Sequence, residues 1–251
     1  GAPPGGPVPT TPGTLMDERS IFFGLHYSIG KLPEVPMKAR RADQRVGYFT
    51  DGFVDHDGES GRWMLGPELY LMGAVAAERY DISPLARDSV RALAAETGES
   101  AFLSARRGDE TVCLLREEGS FPIRSFVLAE GVRFPLGVAS AGLVILSMLP
   151  DATVDRYLAG TDLVALYGPS HAPEPLRHRI AATRATGYAV NPGLVVEGSF
   201  GMGAAIFDAA GQPAWALSLT GVESRFGVER RAELGRLLLE HAHRVSRRLA
   251  G

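Results

Sequence analysis

The chain of 251 residues holds a single cysteine, Cys113, so no disulfide can form within it. Such a chain is expected in a reducing, cytoplasmic setting. It lacks an apolar run long enough to span a bilayer. Its start lacks the charged region and apolar stretch of a signal peptide. It begins with Gly, not Met, as a processed chain or a piece of a longer one does. A basic excess is missing too: 26 Lys and Arg stand against 29 Asp and Glu, a net charge of −3. That balance excludes DNA binding across the whole surface and leaves room for a small basic module.

Catalytic motifs are also scarce. No G-x-S-x-G elbow occurs, and Ser199 in EGSFGMG has the wrong glycine spacing. Gly201 and Gly203 make a G-x-G without its third glycine or a following βα unit, so dinucleotide binding is not expected. The six histidines include no H-E-x-x-H pair. His241 and His243 are two apart on a helix and point to different faces. Cys113, between Val112 and Leu114 in a strand-like run, reads as a buried inert thiol. Neither a catalytic residue, a metal ligand nor a cofactor is expected.

What is present suits a folded domain. Apolar residues make up 45% of the chain, enough for a sizeable core. Residues 1–14 are Pro- and Gly-rich and read as a tail. Residues 15–57 are atypical: Pro33 and Pro36 forbid a helix interior, and Lys38, Arg40, Arg41 and Arg45 form a short basic run. Asp57-Gly58 between apolar runs predicts a β-hairpin over 52–65. Pro67 opens a helix to about Arg79. Ser83, read as an N-cap, opens a second helix to Gly98. Strands are predicted over 101–106, 110–116 and 123–128. Helices follow over 139–149, from a cap at Asp151, and over 175–186. Strands over 202–207 and 214–219 and a long helix over 228–249 complete the chain. The order is α+β with a hairpin-built sheet.

Two stretches are unusual for a plain core. FPLGVASAG at 134–142 passes from an extended segment into a helix through small residues. Unpaired backbone N–H groups at a helix start suit an anion; tight helix–sheet packing would use the same residues. NPGLVVEGSFGMGAA at 191–205 is either a ligand loop or a plain turn. Arg124 would suit a carboxylate if it points inward, and would be a surface residue if it does not. Ser218 and Thr220 share one strand face, toward a pocket or toward solvent.

From Gly58 to Leu249 the chain resembles the effector-binding region of IclR-type transcriptional regulators. GESGRWMLGPELYLMG at 58–73, FPLGVASAG at 134–142, GYAVNPGLVVEGSFGMGAAIFD at 187–208 and LSLTG at 217–221 carry the resemblance. It departs at Asn191, where Asp or Ser is usual, and at Leu194, where Glu is usual. The resemblance implies a GAF- or PAS-like curved antiparallel sheet flanked by helices, behind a linker helix and a remnant of a winged-helix wing. The implied division is a tail at 1–14, an atypical segment at 15–57, wing end and linker helix at 58–82, and the effector domain at 83–251. It implies a small organic or aromatic carboxylic acid as effector, operator DNA as family partner, and a homodimer or homotetramer. The implied ligand contacts are Phe121, Arg124, Val138, Ala139, Ser140, Asn191, Gly201, Ser218 and Thr220. No complete helix-turn-helix precedes the wing, so an alternative is a ligand-binding module that acts through a protein partner. Residues 17–57 resemble a segment ahead of the catalytic domain of bacterial zinc metalloproteases, without a zinc motif; a protease-related protein is the remote alternative.

Overall fold

The computed structural model describes residues 53–57, 62–123 and 127–251. The chain divides into two compact units between Asp81 and Ile82. In the first, β1 (Val54–Asp57) and β2 (Arg62–Leu65) form an antiparallel hairpin, with Val54 opposite Leu65 and Asp57 opposite Arg62. Helix α1 (Pro67–Tyr80) follows, with Pro67 at its start, where the missing N–H loses no intrahelical bond. Tyr70, Leu71, Met72 and Val75 on this helix are exposed.

The second unit is built on one six-stranded antiparallel sheet. Its strands are β3 (Ser100–Arg107), β4 (Glu110–Glu117), β5 (Arg133–Pro135), β6 (Tyr188–Pro192), β7 (Ser199–Phe207) and β8 (Pro213–Val222), in the spatial order β5-β4-β3-β8-β7-β6. Its helices are α2 (Ser83–Thr97), α3 (Ser140–Ser147), α4 (Asp151–Gly160), α5 (Val164–Tyr167), α6 (Pro173–Thr186) and α7 (Val228–Ala250). Gly98 at the end of α2 (φ +71°) and Gly187 at the end of α6 (φ +83°) take the left-handed conformation that closes a helix without a Cβ penalty.

Alternation along the strands divides the core in two. Phe200, Met202, Ala204 and Ile206 of β7, with Leu217 and Leu219 of β8, pack with Val90 and Leu93 of α2 and Leu234, Leu238 and Val245 of α7. The opposite face of the sheet meets α3, whose eight residues are all buried. A second cluster there joins Leu143, Val144 and Leu146 to Leu176 and Ile180 of α6, and to Ala205 and Ala216 of the sheet. Each fully buried Leu, Ile or Phe adds about 1.5–3 kcal/mol to the folded state. The fold class is α+β, with helices on both faces of the antiparallel sheet.

Several local expectations are corrected. Ile82, not Ser83, caps α2, its carbonyl accepting from Leu85 and Ala86 N–H. Pro150 caps α4, while Asp151 stands inside the first turn and accepts from Arg184 Nη1 at 2.6 Å. Ile123, Val127 and Leu128 are not in a strand, and residues 124–126 lie outside the described set. Gly119 and Pro122 break the run, since Pro cannot donate to a ladder; the edge strand is Arg133–Pro135, paired with Glu110–Val112. Strand β6, which the sequence reading passed over, pairs with Gly201–Ala204 and Phe200 of β7.

Candidate ligand-binding site

The site forms where the start of α3 lies against the sheet. Gly203 makes this approach possible: a Cβ there would sit 3.0 Å from the Ser140 carbonyl oxygen. At Gly201 a Cβ would sit 3.1 Å from Ser140 Oγ. The pairing of β7 with β8 sets Gly201 beside Thr220 and Gly203 beside Ser218; the pairing of β3 with β8 sets Phe102 beside Ser218. A bulge between Leu103 and Ser104 then brings Ser104 opposite Cys113 on β4. Between these elements lies a cavity of about 30 Å³, whose walls include Ser104, Thr111, Leu128, Phe134, Ala139 and Ser140. Asn191, Val195, Ser199, Gly201, Ser218 and Thr220 complete most of the wall.

The lining mixes hydroxyl and amide side chains with apolar ones. Ser218 is 1% exposed, and its hydroxyl has no hydrogen-bond partner. Two other hydroxyls of the wall are engaged: Ser199 Oγ donates to the Val196 carbonyl, and Thr111 Oγ1 donates to Phe134 O at 3.4 Å. No lining residue among those described carries a formal charge. Next to the cavity, burial above all, with Glu130 second, pushes the Cys113 thiol up to about 12. That thiol stays protonated near neutrality and is no nucleophile.

Three side chains from three elements hold the segment that leads into α3. Tyr157 of α4 donates its hydroxyl to Leu136 O at 2.7 Å, and Arg179 Nη1 of α6 donates to Gly137 O at 3.5 Å. Asn191 Nδ2 of β6 donates to Val138 O at 2.6 Å, while Asn191 Oδ1 accepts from Leu194 N–H at 3.1 Å. Gly137 needs its positive φ of +85°, and a Cβ on it would meet Leu176 at 2.8 Å. These bonds fix where the first N–H groups of α3 stand.

Of the nine expected contacts, Ala139, Ser140, Asn191, Gly201, Ser218 and Thr220 line the cavity. Val138 is fully buried behind the wall, with its carbonyl taken by Asn191. Phe121 is elsewhere: its ring lies 4.0 Å from the Arg225 guanidinium, which is paired with the buried Glu99 carboxylate, and its N–H donates to Gly98 O. Arg124 lies outside the described residues. The sequence reading missed Ser104, Thr111, Leu128, Phe134, Val195 and Ser199. Ser104 had a usable signal, being a small polar residue inside an otherwise apolar strand run.

Comparison with known proteins agrees with this architecture. The family model for the bacterial transcriptional regulator IclR C-terminal region matches residues 74–247. A second model, a domain of unknown function designated DUF5117, matches residues 8–64. The chain is 31% identical over 199 residues to the HTH-type transcriptional regulator KipR of Bacillus subtilis, covering 79% of each chain. It is 24% identical to the transcriptional repressor IclR of Escherichia coli, over 78% of this chain and 72% of that one. The crystal structure of Thermotoga maritima IclR superposes with a TM-score of 0.69 at 27% identity, covering 83% of this chain and 84% of that one. An IclR regulator from Alicyclobacillus acidocaldarius gives 0.70 at 25% identity, covering 82% of each. On this evidence the chain belongs to the IclR family of bacterial transcriptional regulators and carries that family's C-terminal, effector-binding domain.

Proposed function

We propose that the cavity at the start of α3 binds a small organic or aromatic carboxylic acid, and that its occupancy sets DNA binding by the regulator. The observation that carries this reading is the Ser218 hydroxyl, buried and without a partner in the cavity wall. A buried polar group left unpaired costs about 1–3 kcal/mol, which a ligand oxygen recovers. Ser140, Thr220 and the opening N–H groups of α3 complete a neutral donor set, which stabilises an anion at a helix start. As it stands, the cavity of about 30 Å³ has room for a water or two. An acid therefore enters by displacing the apolar wall of Leu128, Phe134 and Val195, and its differential affinity for that open state shifts the population. We assign Arg124 the direct charge contact from its place in the sequence, and leave Phe121 out of the contact set because it lies under Arg225.

The effector then acts on the arrangement of subunits through α1, in a homodimer or homotetramer. The apolar exposure of Tyr70, Leu71, Met72 and Val75 supports α1 as the element that meets another subunit. A DNA-acting regulator works in the cytoplasm, and this reading assigns the chain no catalysis. The test is a thermal-shift titration with small carboxylates. A melting temperature that climbs with acid concentration in the native chain, and less so in Arg124→Ala, supports the reading. No rise with any acid overturns it.

A second reading has its own support. Residues 8–64 match a domain of unknown function, while the relative KipR is named an HTH-type transcriptional regulator. The chain would then be a sensor that serves a protein partner. Gel retardation with DNA flanking its own gene decides: specific retardation by this chain removes the second reading.

A further inference from the structure

We propose that Arg179 is a second charge-selecting residue of this pocket, beside the direct contact assigned to Arg124: a positioning residue that acts on a bound acid through the Gly137–Val138 backbone without touching it. The proposal rests on the reading of the cavity as an acid site.

Arg179 is half-buried on α6. Its Nη1 reaches Gly137 O at 3.5 Å, its Nη2 donates to Ser170 O at 3.0 Å, and its Nε is buried without a partner. Backbone carbonyls solvate the guanidinium but do not neutralise it. Burial alone lowers its pKa, with no carboxylate acting to raise it. Arg177, Arg184 and Arg225 of this unit each have an acidic partner, whereas Arg179, like Arg231, has only backbone carbonyls among its described hydrogen-bond partners. An uncompensated cation out of water is costly, and the cost falls when an anion arrives nearby.

The direction of the charge points to where that anion sits. Ala139 and Ser140, two and three residues beyond Gly137, line the cavity, so the guanidinium stands within roughly 11 Å of its wall at about 3.8 Å per residue. The described lining itself is neutral. His171 does not add a second charge: burial first, and the Arg179 charge after it, hold its pKa below the usual 6.5, and its Nδ1 lies 2.9 Å from Tyr167 O. Arg179 is thus a fixed positive charge behind the neutral donors that face the ligand. At that range and an effective dielectric of about 20, one charge changes anion affinity by roughly tenfold.

The experiment compares acids with their own amides. Acetate, pyruvate, benzoate and 4-hydroxybenzoate, each beside its primary amide, are titrated into the full chain and followed by calorimetry. The readout is the acid-to-amide affinity ratio for the tightest acid. Arg179→Gln lowers that ratio roughly tenfold, leaving amide affinity within about twofold, and Arg179→Lys keeps the ratio near that of the native chain. A merely structural role moves acid and amide together, so equal losses, or an unchanged ratio in Arg179→Gln, overturn the proposal while the pocket reading stands. Should Arg179→Gln fail to fold, Arg179→Leu carries the same test, since an apolar side chain replaces a half-buried charge without stranding a polar group. If none of the acids binds the native chain, the acid-site reading fails, and this inference fails with it.

Discussion

Ser218 shows what a single residue in this wall does. Its hydroxyl is buried with no hydrogen-bond partner among the described residues, so it adds little to the stability of the unliganded domain. Ser218→Ala should leave the unliganded protein as stable as the native one or up to about 1 kcal/mol more so, while weakening acid binding about five- to tenfold. Urea unfolding and ligand titration of the same variant measure both arms; a clear loss of stability without ligand would mean that the hydroxyl has a partner after all. Gly203 is the opposite case. Its missing Cβ is space that the Ser140 carbonyl occupies at 3.0 Å. Since backbone cannot rotate away as a flexible side chain does, Gly203→Ala should cost about 1–3 kcal/mol of unfolding free energy and weaken acid binding as well, because α3 must lift. Denaturant unfolding checks the first effect. The glycine spacing of this stretch was legible in the sequence; which backbone atom the space serves was not.

At the scale of elements, α3 is the hub. All eight of its residues are buried, and three side chains from α4, α6 and β6 hold the carbonyls that lead into it. The small-residue run at 134–142 was readable as either an anion site or close packing, and the structure uses it for close packing against Gly201 and Gly203 with a cavity at its start. Helices and hairpins with strong periodicity and clear stops were legible, α2, α6 and α7 among them. Strand β6 was not, because its five residues end in Pro192 and its pairing partner lies beyond a loop. Two helix-borne or helix-flanking histidines make a pH prediction. His171 and His241 are both buried, and desolvation, the leading cause in each, lowers their pKa values below 6.5. A group with a depressed folded pKa resists protonation in the folded state while the unfolded chain takes up a proton. The associated stability is therefore present above about pH 6.5 and is lost as pH falls through the lowered folded values. The urea midpoint should drop between pH 7.5 and pH 5 in the native chain, and the drop should shrink in His171→Gln/His241→Gln. An equal drop in the double variant would place the pH sensitivity on other groups.

For the whole molecule, both main core clusters draw all their members from residues 82–249. No helix among the described residues is long and apolar enough to cross a membrane. The sheet closes its hairpins within the same span, and all of its strands among the described residues lie between Ser100 and Val222. A chain of residues 82–251 alone should therefore fold cooperatively and melt within about 5 °C of the full chain, since roughly 1 kcal/mol shifts the midpoint of a domain this size by a few degrees. It should also keep the acid-to-amide preference of the full chain. Circular dichroism melting and calorimetry test this; a broad, non-cooperative transition would show that residues 1–81 complete the core.

The sequence by itself determined the α+β order, the hairpins at 52–65 and 101–116, the long closing helix and the family resemblance, because periodicity, capping glycines and turn pairs act over a few neighbours. It also placed Ser218 and Thr220 on a common strand face. Only the tertiary structure decided that this face meets α3, that Ser104 joins it across a bulge, and that Phe121 turns away to Arg225. It alone brought Arg179, some forty residues from Gly137 in the chain, behind the pocket wall. Pairing register and long-range contacts depend on how separate elements stack, and no local pattern of residues encodes that.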